Sequence, residues 1–277
     1  MTQTKTSPIR FLPTDRDVYY PESDGQPMAE TDVHWGLMTD CVQILDDYFQ
    51  NRSDVYISGN LLLYYEKGNP QKSVAPDVFV VFGVEKKKRE TYLLWEEGKG
   101  PDFVLEVSSK KTFRRDLNQK KRLYAQVLKV SEYFLYDPNH QYLRPPLQGY
   151  RLVEEAYVPI PPVEARLPSQ VLGLELGFRT GTEFGLYNPH TNAWLLPRKE
   201  RAEHAEAKAR QETLARQQAE AKAQQEAEAR QQAEAKAQQE VEARQQAEAK
   251  AQQEAEARQR AEAELARLRA ELQQRGI

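Results

Sequence analysis

The feature that most restricts the fold of this 277-residue chain is a repetitive segment near its C-terminal end. Four arginines stand fourteen residues apart, and each begins a near copy of RQQAEAKAQQEAEA: Arg216, Arg230, Arg244 and Arg258. Ala, Glu, Gln, Lys and Arg are strong helix formers, and no Gly or Pro interrupts them before Gly276. Residues 198–277 are therefore predicted to form a long helix, on the order of 110 Å if it is continuous.

Two arrangements of this repeat helix fit the sequence. Lys222, Glu226 and Arg230 are spaced by four residues, and such pairs stabilise an exposed helix by about 0.2–0.5 kcal/mol each. Fourteen residues also hold two heptads, and three leucines near the end have the three-then-four spacing of a coiled coil: Leu265, Leu268 and Leu272. We expect a homo-oligomer held weakly through an alanine seam and these leucines. The alternative is a solvated monomeric spacer.

Charge and cysteine content limit the setting of the rest of the chain. Residues 198–277 carry sixteen basic and sixteen acidic side chains, so the net charge of -3 belongs to residues 1–197. Nucleic-acid-binding domains are more often basic, although local clustering of charge matters more than the sum. The single cysteine, Cys41, excludes an internal disulfide and suits a reducing compartment. No apolar run approaches the roughly 20 residues of a membrane span, so we expect a cytoplasmic protein without membrane contact.

The first 197 residues divide into an arm and a domain. Residues 1–29 contain four prolines and little periodicity, which predicts an extended N-terminal arm. A helix is predicted from Thr31 to about Gln50, because apolar residues recur there every three or four positions: Trp35, Met38, Val42, Leu45 and Phe49. Cys41 lies in this helix and is expected in the core. We take residues 30–197 as one domain.

Apolar runs after this helix predict the strands of a sheet. The main runs are VYIS, NLLLYYE, PDVFVVF at 76–82, TYLLW at 91–95 and FVLEV at 103–107. The nearly continuous apolar character of 76–82 and 103–107 indicates central strands covered on both faces. A second helix is predicted at 113–128 and another strand at 131–138, with short β segments beyond it. The fold class is therefore α/β, a mixed sheet flanked by helices and followed by the long C-terminal helix.

Two acids interrupt the central strands. Asp77 opens the run PDVFVVF, Glu106 lies inside FVLEV, and Lys120 follows in the second helix. Burying an isolated carboxylate costs several kcal/mol unless it is paired or bound to a metal. Two carboxylates on neighbouring strands with an ammonium nearby can hold a divalent metal and orient water for phosphodiester hydrolysis. The alternative is that both acids lie at strand ends in ordinary solvent.

Four segments carry a resemblance to a known family: SVAPDVFVVF, PDFVLEVSSKKT, RRDLNQKKRLYAQ and VSEYFLYDP. In this order and spacing they resemble the Uma2 family of restriction endonuclease-like proteins, which belongs to the PD-(D/E)XK nuclease superfamily. The resemblance covers roughly residues 25–160 and leaves out the C-terminal repeat. It implies a nuclease-like sheet, DNA as the partner and Mg²⁺ or Mn²⁺ as the cofactor.

The resemblance also implies roles for particular residues. Asp77 matches the first metal-binding acid of the motif and Glu106 matches the second. The superfamily places a lysine two residues after the second acid, whereas this chain has Ser108 there. Lys120 is the candidate to replace that lysine, and Lys110 is the second choice.

The helix that carries Lys120 matches a further part of the family pattern, because Asp116, Lys120 and Tyr124 recur four residues apart along one helix face. Glu30 resembles the acid that the superfamily often places on its first helix, with His34 one turn later. The catalytic set predicted from the sequence is therefore Asp77, Glu106, Lys120 and Glu30.

These residues support two hypotheses about function. The first is a metal-dependent endonuclease that hydrolyses DNA phosphodiester bonds, with basic clusters near the site to contact phosphates. The second is a nuclease fold without activity that binds nucleic acid or protein and uses the C-terminal helix for oligomerisation. Ser108 and the acidic net charge favour the second hypothesis, whereas the two embedded acids favour the first.

Overall fold

The computed structural model describes residues 18–23 and 31–274. The described residues up to Glu203 form one compact unit, and those from His204 onward form a second. Within the predicted N-terminal arm, residues 18–23 have neither helix nor strand, and the rest of the arm lies outside the described residues.

The order of helices and strands is that of a mixed α/β protein with a long C-terminal helix, which confirms the predicted fold class. The helices are α1 Asp32–Tyr48, α2 Leu94–Glu97, α3 Phe113–Arg115, α4 Lys121–Gln126 and α5 Arg198–Gln274, with a π-helical segment at Asp116–Lys120 between α3 and α4. The strands are β1 Val55–Ser58, β2 Leu63–Tyr64, β3 Ser73–Val74, β4 Val78–Phe82, β5 Tyr92–Leu93, β6 Phe103–Val107, β7 Glu132–Tyr136, β8 Leu147–Val153, β9 Ala156–Pro159, β10 Leu167–Ser169, β11 Leu174–Phe178, β12 Phe184–Asn188 and β13 Ala193–Leu195.

The main sheet has six strands in the order β1-β4-β6-β7-β8-β9. Its strands pair antiparallel except β6 and β7, which run parallel and are connected through α3, the π-helical segment and α4. Parallel neighbours need such a crossover, because the chain must return to the same end of the sheet. The crossover therefore lays the 113–126 segment against the sheet beside β6.

The two faces of the main sheet are covered by different helices. On β4, Val78 and Val80 pack in the same cluster as α1, whereas Phe79 and Val81 pack in the cluster that contains Tyr124 of α4. Successive side chains of a strand point to opposite faces, which explains the alternation. Strands β4 and β6 are buried on both faces, as their apolar composition predicts.

Helix α1 begins where the sequence predicts but presents a different stripe to the core. The Thr31 side chain caps it by accepting a hydrogen bond from the His34 backbone N–H at 3.3 Å. Trp35, predicted on the apolar face, is 57% exposed, whereas His34 and Cys41 are buried. The prediction for Trp35 is wrong because the residues that face the sheet are 34, 38, 41 and 45, one position out of phase with Trp35.

A second, antiparallel sheet of four strands, β10-β11-β12-β13, packs against the α1 side of the main sheet. Buried Glu132 at the start of β7 ties the two sheets together. Its carboxylate accepts hydrogen bonds from Arg151, from the Ser169 hydroxyl and from the backbone N–H groups of Gln170 and Val171. A third, small sheet has the order β3-β2-β5.

Helix α5 is one continuous helix of 77 residues, as the repeat predicts. Its side chains from Arg198 to Glu271 are almost all exposed. The ion pairs within the helix join residues four apart, such as Arg216 with Glu220 at 2.9 Å, and Arg198 and Arg201 near its start pair with Asp47 of α1. The predicted Lys222, Glu226 and Arg230 ladder is not among the ion pairs within the described chain. In residues 18–23 and 31–274, no helix combines the length and apolarity that a bilayer span requires.

Candidate active site

Strand register brings Asp77 and Glu106 together. In the antiparallel pair β4–β6, Val78 lies opposite Leu105, so one further step sets Asp77 opposite Glu106. The backbone N–H of Val107 donates to Asp77 Oδ2 at 2.7 Å, and the backbone N–H of Asp77 lies 3.4 Å from Glu106 Oε2. Both side chains fall on the sheet face that packs against α4, because they are in phase with Phe79 and Val104. The alternation of side chains along each strand and the pairing of β4 with β6 therefore place the two acids side by side.

The crossover between β6 and β7 brings a lysine and a tyrosine into contact with Glu106. Lys120 Nζ lies 2.7 Å from Glu106 Oε2, and the Tyr124 hydroxyl donates to Glu106 Oε1 at 2.5 Å. Lys120 Nζ is also 3.7 Å from Asp116 Oδ1. Asp116 is the first residue of the π-helical segment and Lys120 is its last. Such segments are found often at functional sites. The face predicted to carry residues 116, 120 and 124 is the face that meets the site.

Ser108 does not supply a substitute for the lysine of the superfamily motif. Its buried hydroxyl donates to Asp116 Oδ2 at 3.1 Å and so holds that carboxylate in place. Lys110, the second candidate, is exposed and forms no ion pair among the residues that the structure describes. Of the two lysines considered, Lys120 is the one in contact with Glu106.

Helix α1 adds a histidine. His34 is 6% exposed, and its Nε2 lies 3.2 Å from Asp77 Oδ2. His34 is not in the catalytic set predicted from the sequence, although its spacing of four from Met38 and seven from Cys41 places it on the buried stripe. Tyr124 and Asp116 were placed on the right face without a role in the site. Glu30, the remaining predicted catalytic residue, lies outside the described residues.

Electrostatic interactions at the site are dominated by acids in a buried setting. Burial acts to raise the pKa of Asp77, but the His34 ring and the Lys120 charge outweigh it and leave that pKa below its ordinary value. Burial raises the pKa of Glu106 to about 8 against the opposing charge of Lys120, and it also raises the pKa of Asp116. Burial alone would lower the pKa of Lys120, but the three carboxylates raise it, so the amine is charged.

The donor atoms are of the kind that suits a hard divalent cation. Asp77 and Glu106 offer carboxylate oxygens, and Mg²⁺ in proteins is usually bound by one or two carboxylates. Asp116 Oδ1 is buried and has no hydrogen-bond partner within residues 18–23 and 31–274. Once Glu106 is ionised, above about pH 8, three carboxylates face one ammonium and leave negative charge for a cation to neutralise. No three His, Cys, Asp or Glu side chains in this described part are arranged to hold a metal ion together.

These groups form the floor of a cavity of about 650 Å³. Acidic, basic and hydroxyl side chains make up much of its lining: Glu22, Ser23, Thr31, His34, Asn60, Leu62, Ala75, Asp77, Glu106, Ser108, Ser109, Lys110, Lys111, Thr112, Arg115, Asp116, Lys120, Pro138, Asn139 and Tyr142. Its volume is that of an ordinary ligand site.

A family model described as "Uma2: Putative restriction endonuclease" matches residues 9–184. The chain belongs to the Uma2 family. Among solved structures, it is similar to a "putative nuclease belonging to DUF820" from Anabaena variabilis ATCC 29413, with 16% sequence identity and a TM-score of 0.39. That similarity covers 55% of this chain and 81% of the other. No curated protein matches the chain.

Proposed function

We propose that this Uma2 protein is a metal-dependent endonuclease that hydrolyses phosphodiester bonds in DNA. The observation that carries the proposal is the contact of Lys120 Nζ with Glu106 Oε2 at 2.7 Å, beside Asp77 on the floor of a cavity. This contact supports Lys120 as the residue that takes over the role of the motif lysine, whose position holds Ser108 in this chain. Family membership supports the class of reaction.

Each group has a proposed role. Asp77 and Glu106 would hold Mg²⁺ or Mn²⁺, which supplies positive charge to neutralise the charge that develops on the phosphate. The Lys120 ammonium would position the attacking water and stabilise negative charge on the phosphate oxygens. Tyr124 orients Glu106 through its hydroxyl, and His34 restrains Asp77. Glu30 is proposed as an accessory acid from its position in the sequence.

Hydrolysis is proposed to proceed by direct attack of water, without a covalent intermediate. The side chains at the cavity floor are carboxylates, an ammonium and an imidazole, and the hydroxyl of Ser108 is engaged with Asp116. Burial of the floor strengthens the electrostatic contribution of Lys120 to the transition state, because charges interact more strongly away from bulk water.

The test is cleavage of plasmid and short DNA with Mg²⁺ or Mn²⁺ by the native protein and by the amide variants Asp77→Asn and Glu106→Gln. We expect each variant to lose cleavage by about 10²-fold or more, the range seen when one stabilising group is removed from an active site. Glu132→Gln is the matched control for Glu106→Gln. Glu132 is as buried as Glu106 and lies on the neighbouring strand β7, but it does not line the cavity. Because Glu132 also joins the two sheets, circular dichroism must show that this variant is folded, and the folded variant should cleave normally. Equal cleavage by all four proteins would refute the proposal, because a contaminant would then explain the activity.

Ser108 favours one second candidate, a nuclease-fold module that binds nucleic acid or protein without cleaving it. The motif position that carries a lysine in the superfamily here holds a hydroxyl bonded to Asp116. Calorimetric titration with Mg²⁺ and Mn²⁺ separates the two candidates. Metal binding that Asp77→Asn abolishes, together with cleavage, supports the enzyme. Absence of both in the folded native protein supports the module.

A further inference from the structure

The mouth of the cavity carries cations that lack carboxylate partners. Lys110, Lys111 and Arg115 are exposed and line the cavity, and none of them forms an ion pair within the described part of the chain. Elsewhere in the domain cations are commonly neutralised, as Arg89 is by Glu97 at 2.7 Å. Cations that are not held in an ion pair can contact a ligand with several negative charges.

Acidic and basic side chains lie at different depths in the cavity. The floor holds an excess of carboxylates, whereas the exposed charged side chains of the lining are three cations and one acid, Glu22. A positive rim attracts the phosphates of a nucleic acid, and the acidic floor repels them unless a cation is bound there. Neighbouring phosphates of one strand can therefore contact the rim on either side of a phosphodiester at the floor.

An aromatic pair stands at the same mouth. Tyr142 lines the cavity, and its ring stacks on Phe113 with centroids 5.5 Å apart and an angle of 25° between the planes. Buried Asp137 fixes the loop that carries Tyr142, because its carboxylate accepts hydrogen bonds from the backbone N–H groups of Asn139, Tyr142 and Leu143. The ring is therefore held in place before any ligand arrives. A fixed aromatic ring beside basic side chains is how proteins bind unpaired bases together with their backbone.

The depth of the floor argues against an intact duplex. Glu106 is 1% exposed and Lys120 is 6% exposed, so a phosphodiester must enter the cavity to reach them. A cavity of about 650 Å³ has the volume of a small-ligand site, so it has room for a short part of one strand but not for two stacked and paired strands.

We infer that the site selects single-stranded DNA, including the unpaired strand of gaps and flaps, with Tyr142 stacking a base and Lys110, Lys111 and Arg115 contacting phosphates. This inference rests on the proposed function, because it names the form of DNA that the nuclease site accepts. It assigns Tyr142 as a specificity residue that touches the substrate.

The experiment measures binding separately from cleavage. Fluorescence anisotropy compares a labelled 20-nucleotide strand of mixed sequence with the same strand annealed to its complement, using the full-length protein. EDTA prevents metal-dependent cleavage, so the affinity reports contacts at the mouth rather than at the floor. We expect the single strand to bind at least tenfold more tightly. Tyr142→Ala should weaken single-strand binding about tenfold, within the range seen for loss of one stacking aromatic. Tyr142→Phe should stay within about twofold of the native protein because the ring is kept.

One further variant, with two control variants, keeps the test valid if Tyr142→Ala does not fold. Lys110→Gln with Lys111→Gln should lower the slope of log affinity against log salt by about 1.4, since each phosphate contact on a single strand contributes about 0.7. Lys87→Gln with Lys88→Gln removes the same charge outside the cavity lining and should leave the slope unchanged. Tyr187→Ala is the aromatic control, since that half-buried ring packs on Trp194 and does not line the cavity.

Equal or tighter binding of the duplex overturns the inference, as does unchanged single-strand affinity in folded Tyr142→Ala or an unchanged salt slope in the double lysine variant. The proposed function can fail independently. Absence of metal-dependent cleavage with single-strand preference intact would remove the enzyme and keep the strand selectivity. Cleavage lost in Asp77→Asn, with equal affinity for both DNA forms, would keep the enzyme and remove the selectivity.

Discussion

Replacing Tyr124 with phenylalanine tests how Glu106 is held in the site. The Tyr124 ring is fully buried, and its hydroxyl donates to Glu106 Oε1 at 2.5 Å. Phenylalanine keeps the ring and its packing, so the substitution removes little besides this hydrogen bond. Burial raises the pKa of Glu106 to about 8, so at pH 9 the acceptor is mainly the ionised carboxylate.

The expected loss follows from the kind of acceptor. A hydrogen bond to a charged group contributes roughly 1.5–3 kcal/mol, so Tyr124→Phe should lower the free energy of unfolding by about 2 kcal/mol at pH 9. Tyr133→Phe is the matched control. That ring is equally buried, and its hydroxyl donates to the backbone carbonyl of Asp116 at 3.0 Å. A bond between uncharged groups contributes about 1 kcal/mol, so the control should lose about half as much.

Urea unfolding followed by tryptophan fluorescence measures the difference without interference from the repeat helix. The three tryptophans are Trp35, Trp95 and Trp194, so the signal comes from the first 203 residues alone. A loss of about 2 kcal/mol should also lower the melting temperature by about 4–8 °C for a domain of this size. The measurement is made in EDTA so that bound metal does not alter the result.

Two results would refute this reasoning. A loss below about 0.5 kcal/mol in Tyr124→Phe would mean that the hydroxyl does not stabilise Glu106. Equal losses in the two variants at pH 9 would mean that Glu106 is not ionised there, contrary to the expected charge state.

Three further predictions follow from the same structure. The raised folded-state pKa of Glu106 stabilises the protein below pH 4.5, the ordinary pKa of a glutamate, and that stabilisation is lost as the pH rises to about 8. Glu106→Gln should remove this part of the slope of unfolding free energy against pH, measured in EDTA. An identical slope in both proteins would contradict the prediction. Gly149→Ala should cost about 1–3 kcal/mol in urea unfolding, because the added Cβ would lie 2.6 Å from the Phe134 ring; native stability in this variant would show that the ring can move. Deleting residues 204–277 should convert a homo-oligomer to a monomer in light scattering with the tryptophan unfolding transition retained, whereas a monomeric full-length protein would establish the solvated spacer.

Much of the candidate site could be predicted from residue patterns before any tertiary contact was known. Asp77 and Glu106 were predicted as a pair because each interrupts an apolar strand, and strand alternation puts both on one face. Asp116, Lys120 and Tyr124 were grouped by their spacing of four, which survives the π-helical segment between 116 and 120. Each of these patterns lies within one strand or one helix, so it can be recognised from the spacing of residues in the sequence.

Other features were missed or misplaced because they depend on packing between distant segments. The sequence predicted a strand at 91–95, but pairing with β2 ends after Leu93 and the chain enters α2. Trp35 was placed on the buried face of α1, whereas His34 takes that place and reaches Asp77, 43 residues away in the chain. Rotation of a helix by one residue position is decided by the surface it packs on.

The sequence by itself determined the repeat helix and the identity of the central strands. The hydrogen bonds of a helix join residues four apart, so a Gly- and Pro-free repeat of strong helix formers is enough to specify α5. Only the tertiary structure decided that Lys120, rather than Lys110, contacts Glu106. That contact requires β6 and β7 to pair in parallel and the crossover helix to pack on one face of the sheet, and pairing between distant strands is set by the burial of the whole core rather than by any local run of residues.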